Sequence, residues 1–159
     1  MLDLIFTIKF VHVLAVAAML GGWLCLAVFM LLAHRSGNTS VVALTSRFVV
    51  KVELMVEAAA IALQPISGFP LAFAIGLSPL GEFWIVISSA LYAVILVCWV
   101  AAVWIEMRIR DLTREAALEG VPLSAAYRRL FRIWCALACP ILIGMLAVSA
   151  VMIWQPRLD

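Results

Sequence analysis

The apolar residues of the chain fall into four long runs, which cover about residues 4–33, 49–75, 83–105 and 133–154. A helix needs about 20 apolar residues to cross the hydrocarbon core of a bilayer, and each run is long enough. The pattern predicts an all-α protein. Its fold class is a four-helix transmembrane bundle, in which residues 1–159 form a single domain embedded in the lipid bilayer.

The stretches between these runs are polar and differ in character. Residues 34–47 are predicted to form a polar loop, and residues 76–82 a short turn. Residues 106–132 form an amphipathic, mostly helical connection that is broken near Gly120-Val121-Pro122. Gln64 and Pro65 interrupt the second run, but such breakers are tolerated in membrane helices when neighbouring helices satisfy the freed carbonyls.

Composition supports the membrane class. Of 159 residues, 67% are hydrophobic and 13% charged, whereas a soluble domain has about half apolar and a quarter charged residues. The net charge of +2 is too small to indicate nucleic-acid binding. All four cysteines lie in apolar segments, which argues against a disulfide framework. The first run lacks a basic leader and a cleavage site, so it is interpreted as a mature span.

The basic residues predict the orientation. The first and third connections, with the adjoining span ends, hold nine of the eleven Lys and Arg residues: Arg35, Arg47, Lys51, Arg108, Arg110, Arg114, Arg128, Arg129 and Arg132. We call this side of the bundle the basic end. The opposite side, the outer end, holds Lys9 and Arg157. Basic loops stay in the cytoplasm, so both termini are predicted on the periplasmic side of a bacterial cytoplasmic (inner) membrane.

Ionisable residues inside the spans are few, and each is a candidate for function because burying a charge in hydrocarbon is costly. Lys9 and Lys51 lie close enough to span ends to extend their amines to the interface. Glu53 is expected to pair with Lys51 or a loop arginine. Glu57 lies deeper, and is either a buried proton-handling acid or the partner of a polar group on another span.

His12 is the histidine that lies in hydrocarbon, about two turns from the outer end. A neutral imidazole is the usual protein ligand of haem iron, and helix bundles commonly hold haem. A hydrogen bond to a neighbouring helix is the simpler alternative. His34 is 22 residues away, about 33 Å along a helix, so the two histidines cannot bind one iron.

A haem at His12 is therefore five-coordinate or has a different second ligand. Depth in the membrane selects Met152, Gln64 and Tyr92 as candidates, and Met152 is the best chemical match. Gly21 and Gly22 follow His12 in the same span, and small residues there let a helix or a flat cofactor approach the backbone closely.

The chain also resembles a known family. The residues that carry the resemblance are Lys9, His12, Gly21-Gly22, Gln64-Pro65-Ile66-Ser67-Gly68, Trp84, Tyr92, Cys98-Trp99, Arg108, Arg110-Asp111-Leu112, Tyr127 to Trp134, Pro140 and Pro156. In this order they resemble a bacterial family of predicted integral membrane proteins of unknown function, DUF2269-like. More distantly, the chain is similar to membrane protoporphyrinogen oxidases of the HemJ type and to CopD-type membrane domains. The HemJ resemblance implies that His12 binds haem b.

Three hypotheses follow. The leading one is a haem b protein that transfers electrons between a quinol and a membrane partner, or senses redox state. The second is a HemJ-like porphyrinogen oxidase, but the third-span lysine of that pattern is Ser88 here. The third is a copper-handling or structural subunit of a membrane complex, with His12 as the metal ligand. Whether the protein is an enzyme is left open, and a homo-oligomer or a larger complex is expected.

Overall fold

The computed structural model describes residues 2–156, and its regular elements are all helical. The basic residue Arg157, predicted on the outer side, lies outside the described residues. The elements are α1 (Leu2–Ser36), α2 (Thr39–Val52), a π-helical segment (Glu53–Glu57), α3 (Ala58–Ala74), α4 (Phe83–Glu119) and α5 (Ala125–Trp154). The predicted all-α class is confirmed.

The first connection is much shorter than predicted. Residues 34–47 were expected to form a polar loop, but α1 continues to Ser36 and α2 begins at Thr39. Gly37 adopts a positive φ of 65° at the turn. The side chain of Asn38 then accepts hydrogen bonds from the backbone amides of Ser40 and Val41. An asparagine N-cap satisfies the free amides of a new helix, so a polar composition here marks a helix start.

The second apolar run forms one continuous helical rod made of α2, the π-helical segment and α3. Pro65 and Pro70 lie inside α3 without ending it. The π-helical segment places an extra residue in the turn between Glu53 and Glu57, and such insertions are frequent at functional sites. Helical structure is therefore continuous along the rod, although its hydrogen-bonding pattern changes at the π-helical segment.

Three helices, α1, α4 and α5, are long and apolar enough to cross a membrane. The 17-residue α3 is a fourth, shorter apolar helix, which α2 extends. The third connection breaks where the sequence predicts, because Gly120 ends α4 in the left-handed conformation and Ser124 caps α5.

The helices pack tightly at the basic end. There α1 packs on α2, α2 on α4 and α4 on α5. The ring of His34 on α1 stacks on Phe131 of α5, with centroids 3.8 Å apart, and its Nδ1 lies 2.9 Å from the Tyr127 hydroxyl. Between α2 and α4, the hydroxyls of Ser46 and Thr113 lie 2.9 Å apart. These contacts close the bundle on all sides at this end.

The outer end is more open. There α1 pairs with α3 and α4 pairs with α5, but the backbone of α3 hardly comes within 8 Å of α4 or α5. The outer half of α1 also exposes large apolar side chains, such as Phe6 and Phe10. The two helix pairs therefore diverge toward the outer end, and side chains alone span the space between them.

The contact between His34 and Tyr127 is predicted to stabilise the basic end. Tyr127→Phe removes one hydrogen bond and is expected to lower the free energy of unfolding by about 0.5–1.5 kcal/mol. Thermal unfolding in detergent measures this change. The experiment is done at pH 8, where the His34 ring is neutral because burial lowers its pKa. In a double-mutant cycle with His34→Ala the two losses should be non-additive, and strict additivity would contradict a direct bond.

Candidate functional site

The His12 ring lies between α1 and α3 and is half-buried. Its Nδ1 is 2.8 Å from the hydroxyl oxygen of Ser67 on α3. Gly68 is the next residue, and a Cβ built there would lie only 3.1 Å from Cε1 of His12. Glycine at this position therefore lets the imidazole rest against the backbone of α3.

The hydrogen bonds of Ser67 determine which nitrogen of His12 carries the proton. Its hydroxyl donates to the carbonyl of Leu63. A serine hydroxyl has a single hydrogen, so when that hydrogen is donated to Leu63 the Ser67 oxygen accepts from Nδ1–H of His12. The ring is then the neutral tautomer with a free lone pair on Nε2, the form in which a histidine binds a metal.

A layer of polar side chains surrounds His12 inside the outer half of the bundle. Gln64 of α3 and Ser88 of α4 are buried, and neither the Gln64 Nε2 nor the Ser88 Oγ has a hydrogen-bond partner. The helices α3 and α4 run in opposite directions, and Tyr92 meets Ile61, so Ser88 one turn earlier lies level with residues 64–67. We call His12, Gln64, Ser67 and Ser88 the outer polar layer.

Tyr92 has a structural partner. Its hydroxyl donates to the carbonyl of Ile61 at 2.6 Å. That carbonyl would normally bond to the amide four residues later, but residue 65 is proline and has no N–H. Tyr92 thus satisfies the carbonyl that Pro65 frees, and it joins α4 to α3 across the divergent half of the bundle.

The other predicted ligand-binding residues lie in different surroundings. Met152 of α5 packs against Ala72, Trp84 and Ile85, close to the outer polar layer in depth. Gly21 has open space where a Cβ would be, while a Cβ on Gly22 would collide with the carboxylate of Glu57. The structure therefore groups His12 with Gln64, and places Gly22 in a second site.

That second site is a cluster of three buried carboxyl groups, Glu53, Glu57 and Glu106, which we call the acid cluster. Glu53 and Glu57 bound the π-helical segment, and Glu106 comes from α4. Trp99 donates its indole N–H to Glu53 at 2.7 Å, and Trp134 donates to Glu106 at 2.7 Å. Both oxygens of Glu57 and one of Glu106 have no partner.

Sequence reasoning missed part of the acid cluster. Glu53 was expected to pair with Lys51 or a loop arginine, but it pairs with Trp99. Glu106 was assigned to the third connection, whereas it is 2% exposed. Trp134 of α5 is buried against Glu106. The signal that could have found the cluster is the spacing of Glu106 and Trp99, which share a face of α4.

The described residues contain no group of three or more His, Cys, Asp or Glu side chains arranged to hold a metal ion. Two open surface grooves, of about 360 and 350 Å³, lie near Trp104 and Phe48 at the basic end. Neither is lined by a residue of the outer polar layer or of the acid cluster.

Comparison with protein families gives one match. The family described as "Predicted integral membrane protein (DUF2269)" matches residues 6–156. The chain belongs to this family. No curated protein and no solved structure matches it, so the similarity to HemJ-type and CopD-type proteins is not shown.

The two neighbouring glycines of this DUF2269 protein are predicted to differ in their tolerance of a methyl group. Gly22→Ala must displace Glu57 and is expected to destabilise the protein by about 1–3 kcal/mol, the usual cost of overpacking. Gly21→Ala meets nothing within 4 Å, so alanine there should leave stability unchanged or slightly raise it. Thermal unfolding of the two variants in detergent measures the difference. Equal shifts would contradict the observed packing of Gly22 on Glu57.

Proposed function

We propose that the protein crosses the cytoplasmic membrane of a bacterium four times, with both termini on the periplasmic side. In addition to α1, α4 and α5, the rod over residues 39–74 is about 54 Å long at 1.5 Å per residue, which exceeds the roughly 30 Å hydrocarbon core. Both helical turns at the basic end, at residues 37–38 and 120–124, lie among the arginines. The distribution of basic residues supports a cytoplasmic location for that end.

Reporter fusions test this topology. Alkaline phosphatase is active only after export, so it is expected to be active when fused to the C-terminus and inactive when inserted at Gly120. A green fluorescent protein folds in the cytoplasm and should give the opposite pattern. Phosphatase activity at Gly120 but not at the C-terminus would reverse the orientation, and activity at neither or both positions would contradict a single membrane crossing by α5 between them.

The same proposal assigns a function to His12: it is an axial ligand of a b-type haem in a membrane redox protein. The observation that carries this assignment is the hydrogen bond from Nδ1–H to Ser67, which leaves the Nε2 lone pair free. Haem-binding histidines commonly donate their other ring N–H in this way, since the bond orients the ring and raises its basicity. The haem would supply one-electron chemistry.

The surroundings of His12 support a bound ligand in the outer half. Gln64 and Ser88 are buried polar groups without partners, and such groups usually find a partner in a bound molecule or water. The backbones of the α1–α3 pair and the α4–α5 pair are further apart here than at the basic end, so side chains rather than close backbone contacts lie between the pairs. Met152 and Gln64 would be the candidates for a second ligand, because the hydroxyl of Tyr92 already donates to Ile61.

Electron exchange with a membrane quinone or a redox partner is the role that best suits this position within the bilayer. A porphyrinogen oxidase has less support, since Ser88 stands at the position of the lysine in the HemJ pattern. A copper site has less support as well, because His12 belongs to no group of three or more His, Cys, Asp or Glu side chains among residues 2–156.

Absorption spectroscopy of the purified protein tests haem binding. The protein from haem-replete cells is expected to show a Soret band and b-type reduced bands, with about one haem per chain in a pyridine haemochrome assay. His12→Ala should abolish them. His34→Ala is the matched control and should retain haem, because His34 lies about 33 Å away. A colourless protein that is folded by circular dichroism would exclude the assignment.

Ser67→Ala tests whether the hydrogen bond from Nδ1–H of His12 to Ser67 contributes to haem affinity, separately from whether haem binds at all. Loss of the acceptor for Nδ1–H should weaken haem affinity about 10- to 100-fold without abolishing it. Ser46→Ala, which removes a buried hydroxyl of the same rod at the basic end, far from His12, provides the comparison. An unchanged affinity in Ser67→Ala would show that this hydrogen bond does not orient the ligand.

A further inference from the structure

The acid cluster lacks a compensating charge. Within residues 2–156 the recorded ion pair joins Arg110 to Asp111 at the surface of α4, and no Lys or Arg lies within 4 Å of Glu53, Glu57 or Glu106. The cations nearest in sequence, Lys51 and Arg108, are both exposed. Each of the three carboxyl side chains is at most 2% exposed.

The carboxyl oxygens of the acid cluster also have too few hydrogen-bond donors. Two of its six oxygens accept indole N–H groups from Trp99 and Trp134. Both oxygens of Glu57 and one oxygen of Glu106 are buried without any partner. A buried carboxylate oxygen that is unpaired is strongly unfavourable, whereas a protonated carboxyl can donate to a neighbouring carboxylate. The unpaired oxygens therefore favour a protonated carboxyl over a carboxylate at this position.

The three groups are also close enough to affect one another. Glu53 interacts electrostatically with both Glu57 and Glu106. Like charges that share an apolar site cannot all ionise, so the cluster as a whole retains protons that an exposed carboxyl would lose. Gly22 is part of the arrangement, since only a residue without a Cβ leaves room for the Glu57 carboxyl.

We propose that Glu53, Glu57 and Glu106 form a proton-binding site inside the membrane, which holds at least one exchangeable proton at neutral pH. Glu57 is the group that holds it, because neither of its oxygens has another partner. The indole N–H groups of Trp99 and Trp134 stabilise negative charge on Glu53 and Glu106, so the proton is left to Glu57. The site exchanges protons with the basic end, where Glu106 stands just beyond the predicted span 83–105.

A proton suits this site better than a metal cation. The side chains do not converge in a ligand arrangement, and the two indoles occupy carboxylate oxygens that a cation would need. The other titratable groups on the surrounding helices do not supply a counter-charge: Cys25 of α1 is exposed, Cys98 of α4 and Cys135 of α5 are half-buried thiols, and Tyr92 of α4 bonds to a carbonyl. The inference does not depend on haem at His12.

Infrared spectroscopy tests the proposal directly. The purified protein in lipid vesicles at pH 7 is expected to show the C=O stretch of a protonated carboxyl, which shifts to lower frequency in D₂O. Exposed carboxyls are ionised at this pH and do not contribute. Glu57→Gln should reduce the band, and the triple variant with Glu53→Gln and Glu106→Gln should remove it. Glu119→Gln, an exposed position on the same helix as Glu106, should leave it unchanged.

Two results for the carboxyl band itself would overturn the proposal, and a third concerns its response to Na⁺. One is the absence of a D₂O-sensitive carboxyl band in the unaltered protein at pH 7; the other is a band that persists in the triple variant. Circular dichroism checks that each variant is folded, and the measurement on the unaltered protein is decisive even if a variant is not. The spectra are recorded with NaCl and with choline chloride, and a band that Na⁺ abolishes would identify a cation site instead.

Discussion

The structure depends on one constraint: inside the bilayer no water is available, so polar groups must find partners within the protein. Pro65 shows how this operates, because it removes an amide from α3 and leaves the Ile61 carbonyl free. Tyr92 donates to that carbonyl from α4. A local helix defect is thus converted into a contact between helices that otherwise hardly touch.

The same constraint distinguishes two levels of the bundle. At the level of the acid cluster, close packing and two tryptophan N–H groups surround carboxyls that have too few partners. At the level of the outer polar layer, the helix pairs diverge and leave Gln64 and Ser88 unpaired. Ser67 and Glu57 lie ten residues apart, about 15 Å along the helix, so the two levels are separate sites on one rod.

The π-helical segment connects these levels. The extra residue of the π turn rotates α3 about the helix axis relative to α2. In a regular α-helix, α2 and α3 would therefore present different faces to the neighbouring helices. With the π turn, Val49 and Glu53 are buried in the closed half, and Ser67 and Gly68 reach His12 in the open half. One inserted residue therefore determines which side chains of the rod point into the acid cluster and which point into the outer polar layer.

The sequence by itself determined the helical class and the apolar runs, because long hydrophobic runs are local signals, and it made His12 a candidate because ionisable residues in such runs are rare. It predicted a loop over residues 34–47 because polar composition alone does not distinguish a loop from a capped amphipathic helix. Tertiary structure decided the rest: that Ser67 sets the tautomer of His12, that Gly22 accommodates Glu57, and that Glu106 joins Glu53. Those pairings bring together residues distant in the chain, and only the packing of helices against one another determines which faces meet.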